Sequence, residues 1–309
     1  MFDTLCSRLK ALLLAFAMAA FALPAHADLG SVRSVLAERM GAKKIPFTPS
    51  AVQETLIKGL YRWEQGPGTG VVFVNDAVTL MLATNSVVVT DWMQPVRNPQ
   101  PISEAEKGEL LKEMVRNIRF EKLIKIEQGT GKTKLLLVSA FDCPYCIKFE
   151  RMLASAGDKV DATIYILPGT LNWRENARAS TVRNIWCAND NARLWRTTLV
   201  KASQSYGNLP NGSCDLGAQQ VDDLMIILQT QYGKFGFPAM VFADGSKDTA
   251  AQELPVFKQQ LQQRSGNDFW AEANADKYAQ FRASAAAADT PAANPLKGLF
   301  KRLGVKDKH

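Results

Sequence analysis

Apolar and polar positions along this chain repeat with two different periods, and the switches between them mark its elements. Val32, Val35, Leu36 and Met40 recur at helical spacing, which predicts a short amphipathic helix over about residues 30–40. After Pro46 and Pro49 the pattern becomes strand-like over 55–64, 71–83 and 86–92. Turn residues at Gln65-Gly66-Pro67-Gly68 and Thr84-Asn85 separate these stretches, so they read as an antiparallel meander. Pro95, Pro99 and Pro101 then break the pattern. A polar, helix-favouring stretch follows from Ser103 to about residue 119, with Ser103 and Glu106 at capping-box spacing. It is expected to act as a rigid connector.

The second half has another rhythm. An apolar strand over 134–141 runs directly into a helical pattern carried by Ile147, Phe149, Met152 and Leu153. Next come a strand over 162–167, a helical stretch over 172–203, a loop over 208–216 and a helix over 218–232. Gly236-Phe237-Pro238 opens a further strand over 239–243, which ends in the turn Asp244-Gly245-Ser246. This order fits an α/β sandwich around a mixed sheet. Helices are also expected over 254–263 and 269–282. Residues 283–294 are of low complexity, and 296–308 are basic with Leu296, Leu299, Phe300 and Leu303 on one helical face. That tail is expected to be a flexible solubilising segment, with a membrane or partner contact as the alternative.

The junction between the first of these strands and its helix carries the chemistry. Cys143-Pro144-Tyr145-Cys146 sets two thiols one turn apart, with the first at a helix N-terminus. Unpaired N–H groups and the positive end of the helix dipole favour a thiolate there, and Pro144 fits the first turn because its missing N–H is not needed. The thiolate is the species that attacks disulfides, so the layout reads as redox chemistry. A permanent structural bridge is the alternative, but closing so short a loop gains little.

Composition narrows the choices. Arg8 and Lys10 precede an apolar run over 11–23 that ends in Pro24-Ala25-His26-Ala27. This reads as a secretory signal peptide cut after Ala27, and the run is short for a membrane anchor. Of five cysteines, Cys6 leaves with the signal, and an even number in an exported chain suggests pairing. Of the two histidines, His26 lies in the signal and His309 ends the chain. A histidine-based triad or mixed metal site is therefore not expected, nor is zinc on four cysteines at these spacings. The net charge of +7 is modest, with no basic stripe interleaved with aromatics, so nucleic acid is not an expected partner. No metal or cofactor is expected.

Three motifs in order resemble the DsbC/DsbG family of periplasmic disulfide isomerases. These are the redox motif with proline in second place, Ile185-Trp186-Cys187-Ala188-Asn189-Asp190 followed by Ser213-Cys214-Asp215, and Gly236-Phe237-Pro238-Ala239. The resemblance implies a thioredoxin-like catalytic domain with a helical insertion, joined by a linker helix to a small α+β, cystatin-like dimerisation domain. The expected organisation is a signal peptide over 1–27, a dimerisation-type domain over 28–100, a linker helix over 101–119, a thioredoxin-like domain over 120–282 and a basic tail over 283–309.

The same resemblance implies roles. Cys143 is expected as the more exposed nucleophile and Cys146 as the buried resolving thiol, with Pro144 and Tyr145 in the active-site turn. Pro238 is expected in the cis form, leaving the backbone of Phe237 to meet an extended substrate. Phe141 and Tyr145 could contact unfolded chains. Cys187 and Cys214 are expected as a structural disulfide, whose loop of twenty-six intervening residues is worth about 3–4 kcal/mol; a second redox centre is the alternative. Phe237 departs from the family's isomerases, which usually carry threonine there, and the stretch after Ser246 shows little sign of the family's final strand. Together these readings predict a homodimeric thiol–disulfide isomerase or reductase, acting on unfolded or misoxidised exported proteins and kept reduced by a membrane-bound thiol reductant. A dithiol oxidase and a redox-independent chaperone or assembly component are the alternatives.

Overall fold

The computed structural model describes residues 28–271, apart from 43, 65–70, 77, 79–80, 84–85, 91–103, 202–211, 251–252 and 267. The signal peptide and its cleavage site, the prolines at 95, 99 and 101, the Ser103 cap and the basic tail lie outside the described residues.

Helix α1 (Leu29–Ala42) packs on an antiparallel sheet of β1 (Val52–Glu54), β2 (Leu60–Glu64), β3 (Val71–Asn75), β4 (Met81–Ala83) and β5 (Ser86–Thr90), in that spatial order. The meander has five strands where the apolar pattern shows three stretches. Strand β1 lies ahead of the first stretch, and two local turns, one shortening that stretch and one dividing the second, account for the rest. Thr55 Oγ1 accepts the Ile57 N–H at 3.1 Å, and Gly59 takes a positive φ of 67°, so residues 55–59 fold back between β1 and β2. Val78, at φ 51°, donates its N–H to Asn75 O at 2.9 Å and separates β3 from β4. A hydrogen-bonded turn thus overrides an apolar run.

Alternation along the strands sorts the two faces of this sheet. Tyr61 and Trp63, paired with Val74 and Val72, join Val32, Leu36 and Met40 of α1 in one buried cluster. Leu60, Phe73 and Leu82 belong to a second cluster together with Leu110, Leu111, Met114 and Val115 of α2 (Glu104–Arg116). Helix α2 is therefore half-buried packing and not a free-standing rod. Its C-terminal end is tied to the β1–β2 turn by Arg119 N–H to Leu56 O at 2.7 Å and Lys58 N–H to Asn117 O at 2.9 Å.

The second sheet has the order β10-β9-β7-β8-β6, built from β6 (Ile124–Gln128), β7 (Thr133–Ala140), β8 (Ala162–Gly169), β9 (Ala239–Val241) and β10 (Lys247–Thr249). Strands β7 and β8 are parallel; β6 against β8, β9 against β7 and β10 against β9 are antiparallel. Helix α3 (Pro144–Ala156) follows β7. Between β8 and β9 come α4 (Asn176–Trp186), α5 (Asn191–Lys201) and α6 (Ala218–Tyr232), and α7 (Leu254–Gln263) follows β10. This is a thioredoxin-like α/β fold with a helical insertion. Its centre is the fully buried run Leu135-Leu136-Leu137-Val138, and α3 meets α7 through an edge-on Phe149–Phe257 contact at 5.2 Å.

Four expectations change. Strand β6 was not anticipated, although its alternation of buried Ile124, Ile126 and Gln128 with exposed Lys125 and Glu127 is a strand pattern. The final strand, of which the sequence gives little sign, is present as β10: Lys247-Asp248-Thr249 is too short and polar to read as one. Its hairpin turns at Gly245, where φ is 79° and a Cβ would lie 2.7 Å from the Phe269 ring. The single helical stretch over 172–203 is two helices broken at Cys187–Asp190. Finally, Phe269–Ala271 lie in a turn closed by Ala271 N–H to Asp268 O at 2.9 Å, where a helix was expected to start; its remainder is outside the described residues.

Candidate active site

Strand β7 ends at Ala140, and the chain turns through Phe141 and Asp142 to the N-cap of α3, which is Cys143. Pro144 occupies the first helical position, as its fixed φ favours. The turn is held by Phe141 N–H to Gly169 O at 3.1 Å and Cys143 N–H to Ala140 O at 3.2 Å. From the other side comes the cis peptide Phe237–Pro238. Pairing of Ala239 with Val138 sets that loop beside the C-terminal end of β7.

The two thiols are free but not equivalent. Cys143 Sγ donates to the Phe237 carbonyl at 3.6 Å, and Cys146 Sγ accepts the Ala140 N–H at 3.3 Å. Cys146 is 0 % exposed, and burial pushes its thiol up to about 12; hydrogen bonds from Ser139 and Ala140 pull the other way, while Cys143 adds to the rise. Cys143, at 4 % exposed, is the more accessible of the two, yet it too is buried, with its sulfur against the Phe237 carbonyl. The expectation for Phe141 is corrected, because it is a core residue and not a contact for clients. The exposed apolar surface belongs to Tyr145, at 65 %, and to Leu171 beyond the end of β8. Phe237 is half-buried, its ring against Gly169, and Pro238 is buried.

The raised pKa of Cys146 has a direct readout. At pH 8 it stays protonated, since its folded value lies far above the solution pH. A Cys143→Ser protein is thus expected to resist iodoacetamide at pH 8 at position 146, and rapid alkylation there would contradict this environment.

Cys187 and Cys214 form a disulfide with a Cα–Cα distance of 5.5 Å, linking the C-terminal end of α4 to the loop before α6. Helical rise places Cys187 roughly 14 Å along α4 from Arg178, which reaches the CPYC turn. The expected effect of Cys187→Ala is a loss of about 3–4 kcal/mol in urea unfolding with disulfide exchange at the CPYC pair retained. Loss of insulin reduction in a folded variant would contradict a purely structural bridge. Among the described residues, no three His, Cys, Asp or Glu side chains are grouped to share a metal ion.

Sequence reasoning missed the support of the turn. Asp142 accepts from Thr170 Oγ1 at 2.7 Å, Leu171 N–H at 2.9 Å and Arg178 Nη1 at 2.5 Å. Its one local signal was an acidic residue set directly between an apolar strand and a reactive cysteine.

No family model matches the chain. A protein of Bordetella pertussis, named probable thiol:disulfide interchange protein DsbC, is 26% identical over 219 residues, covering 69% of this chain and 68% of its own length. Its counterpart in Bordetella parapertussis is 25% identical over the same share. The chain is similar to the DsbC-type thiol:disulfide interchange proteins. Among solved structures, a disulfide interchange protein from Neisseria gonorrhoeae is 25% identical, covering 47% of this chain and 97% of that one, with a TM-score of 0.39. Helicobacter pylori DsbG is 14% identical, covering 69% and 99%, with a TM-score of 0.32.

Proposed function

We propose that this chain is a periplasmic disulfide isomerase or reductase that works through Cys143 and Cys146 on unfolded or misoxidised exported proteins. The observation that carries the proposal is the asymmetry of the pair: Cys143 at the helix N-cap against the Phe237 carbonyl, and Cys146 sealed behind it. The Cys143 thiolate attacks a client disulfide; its sulfur bonds to one client sulfur as the old S–S bond breaks, and the other client sulfur leaves as a thiolate that takes a proton. If a second client thiolate attacks this mixed disulfide, the client is reshuffled and Cys143 departs reduced. If none does, Cys146 attacks Cys143 Sγ and its proton passes to the leaving client sulfur. The client is then reduced by two electrons and the CPYC pair is oxidised, to be restored by a membrane-bound thiol reductant.

The rest of the organisation belongs to the same proposal. A signal peptide cut after Ala27 exports the chain, residues 28–100 form the dimerisation unit, 101–119 the linker helix and 120–282 the catalytic unit, with a basic tail over 283–309. Exposed Tyr145 and Leu171 flank the turn where an unfolded client would lie. Refolding of a scrambled multi-disulfide protein tests the activity. The wild type is expected to restore the native pairing and Cys143→Ser to fail. Aggregation suppression that survives Cys143→Ser, with no isomerisation by the wild type, would favour the chaperone reading. A CPYC pair found mostly oxidised in cells would favour the oxidase.

A further inference from the structure

We infer that Asp142 and Arg178 form a charge pair that positions the CPYC turn and sets the acidity of Cys143. The inference rests on Cys143 being the reactive thiol. The Asp142 carboxylate is almost fully buried, its side chain 6 % exposed, yet it uses both oxygens. Oδ1 accepts from the Leu171 N–H, and Oδ2 from Thr170 Oγ1 and Arg178 Nη1. Three donors from the end of β8 and from α4 thereby converge on the residue directly before Cys143. Thr170 Oγ1 in turn accepts the Asn172 N–H at 3.2 Å, so the network also shapes the loop that exposes Leu171.

A buried carboxylate at this point has an electrostatic consequence. Consecutive Cα atoms lie about 3.8 Å apart, so the Asp142 charge acts on Cys143 well within a Debye length of about 10 Å. In general, removing a negative charge beside a thiol favours its thiolate and removing a positive one disfavours it. Arg178 offsets the carboxylate, and its Nε is bonded to Glu175 at 2.5 Å, so Glu175 is the third charge in the group. On α3 the next charged side chains along the chain are Lys148, which is exposed, and Glu150, which is paired with Arg196. Removing Asp142 leaves Arg178 paired with Glu175 alone, whereas removing Arg178 leaves the Asp142 carboxylate with only the neutral donors Thr170 and Leu171.

That contrast gives a test a merely structural role would not satisfy. The pH dependence of iodoacetamide alkylation is measured on the reduced full-length chain, on Asp142→Asn, Arg178→Gln and Thr170→Val, with Cys143→Ser identifying the signal. Asp142→Asn is expected to lower the Cys143 midpoint by ~0.5–1 unit and Arg178→Gln to raise it by a similar amount. The Asp142→Asn protein should correspondingly be the more oxidising and Arg178→Gln the more reducing. Thr170→Val, which removes a neutral partner, should leave the midpoint in place. Unshifted midpoints, or shifts of one sign in all three variants, would overturn the inference while leaving Cys143 the reactive thiol. An unchanged alkylation profile in Cys143→Ser would instead overturn the site itself. Should Asp142→Asn fail to fold, the sign of the Arg178→Gln shift, read against Thr170→Val, decides alone.

Discussion

Replacing Cys143 by serine is expected to lower disulfide exchange by on the order of 10³-fold or more, with the fold intact. Serine is a favoured N-cap residue and keeps a hydrogen-bond donor toward the Phe237 carbonyl, so the helix start is preserved while the nucleophile is lost. Replacing Cys146 should have a different signature. The first attack on a client remains possible, but the mixed disulfide cannot be resolved from within the protein, so covalent complexes accumulate. Insulin reduction separates the two: Cys143→Ser is inert from the first turnover, whereas Cys146→Ser consumes one client and stalls. Equal residual activity in both variants would argue against a nucleophile and a resolving thiol with separate roles.

The second large effect concerns stability. Arg62 of β2 reaches across to α6, where its Nε lies 3.1 Å from Asp223 Oδ1, while its Nη1 pairs with Glu64 at 2.6 Å. Asp223 is buried, and burial pushes its carboxyl up to about 7, with Arg62 pulling it down and Asp222 and Glu64 adding to the rise. Between about pH 4 and 7 the folded chain therefore holds a proton that the unfolded chain has lost, so this group's contribution to stability falls as pH rises through that window. The wild-type effect amounts to a few kcal/mol across the window. In Arg62→Leu the carboxyl loses the charge that pulls it down and keeps its proton, so the variant should be destabilised by roughly 1–1.5 kcal/mol more at pH 8 than at pH 5. At pH 5 Asp223 is protonated in both proteins and that part of the loss should disappear. Urea unfolding at the two pH values checks the sign: a variant equally destabilised at both would show that Asp223 is not the titrating partner. Asp223→Asn should flatten the same window.

The chemistry was more legible than its surroundings, for a physical reason. Both cysteines and Pro144 lie within one helical turn, and Phe237-Pro238 is a local motif that opens a strand, so short-range pattern suffices to find them. The residues that govern them come from far along the chain. Phe237, whose carbonyl meets Cys143, is 94 residues away, and Thr170 and Arg178 reach Asp142 from 28 and 36 residues on. The approach of Phe237 to Cys143 has no local signature, and the clamp on Asp142 has only the acidic residue itself beside the cysteine. In the fold, the two apolar faces of the N-terminal sheet blurred its turns, and Thr55 and Val78 broke runs that looked continuous. Strand β6 carried a readable alternation that was overlooked, whereas the three polar residues of β10 carried almost none.

The most direct test of the account is to map the covalent complex formed by Cys146→Ser. The purified full-length variant is incubated with a scrambled multi-disulfide protein, quenched with acid and alkylating agent, digested without reduction and sequenced by mass spectrometry. The account predicts client peptides joined to Cys143, with Cys187 still bonded to Cys214. Client peptides on Cys187 or Cys214, or no covalent complex at all, would contradict it.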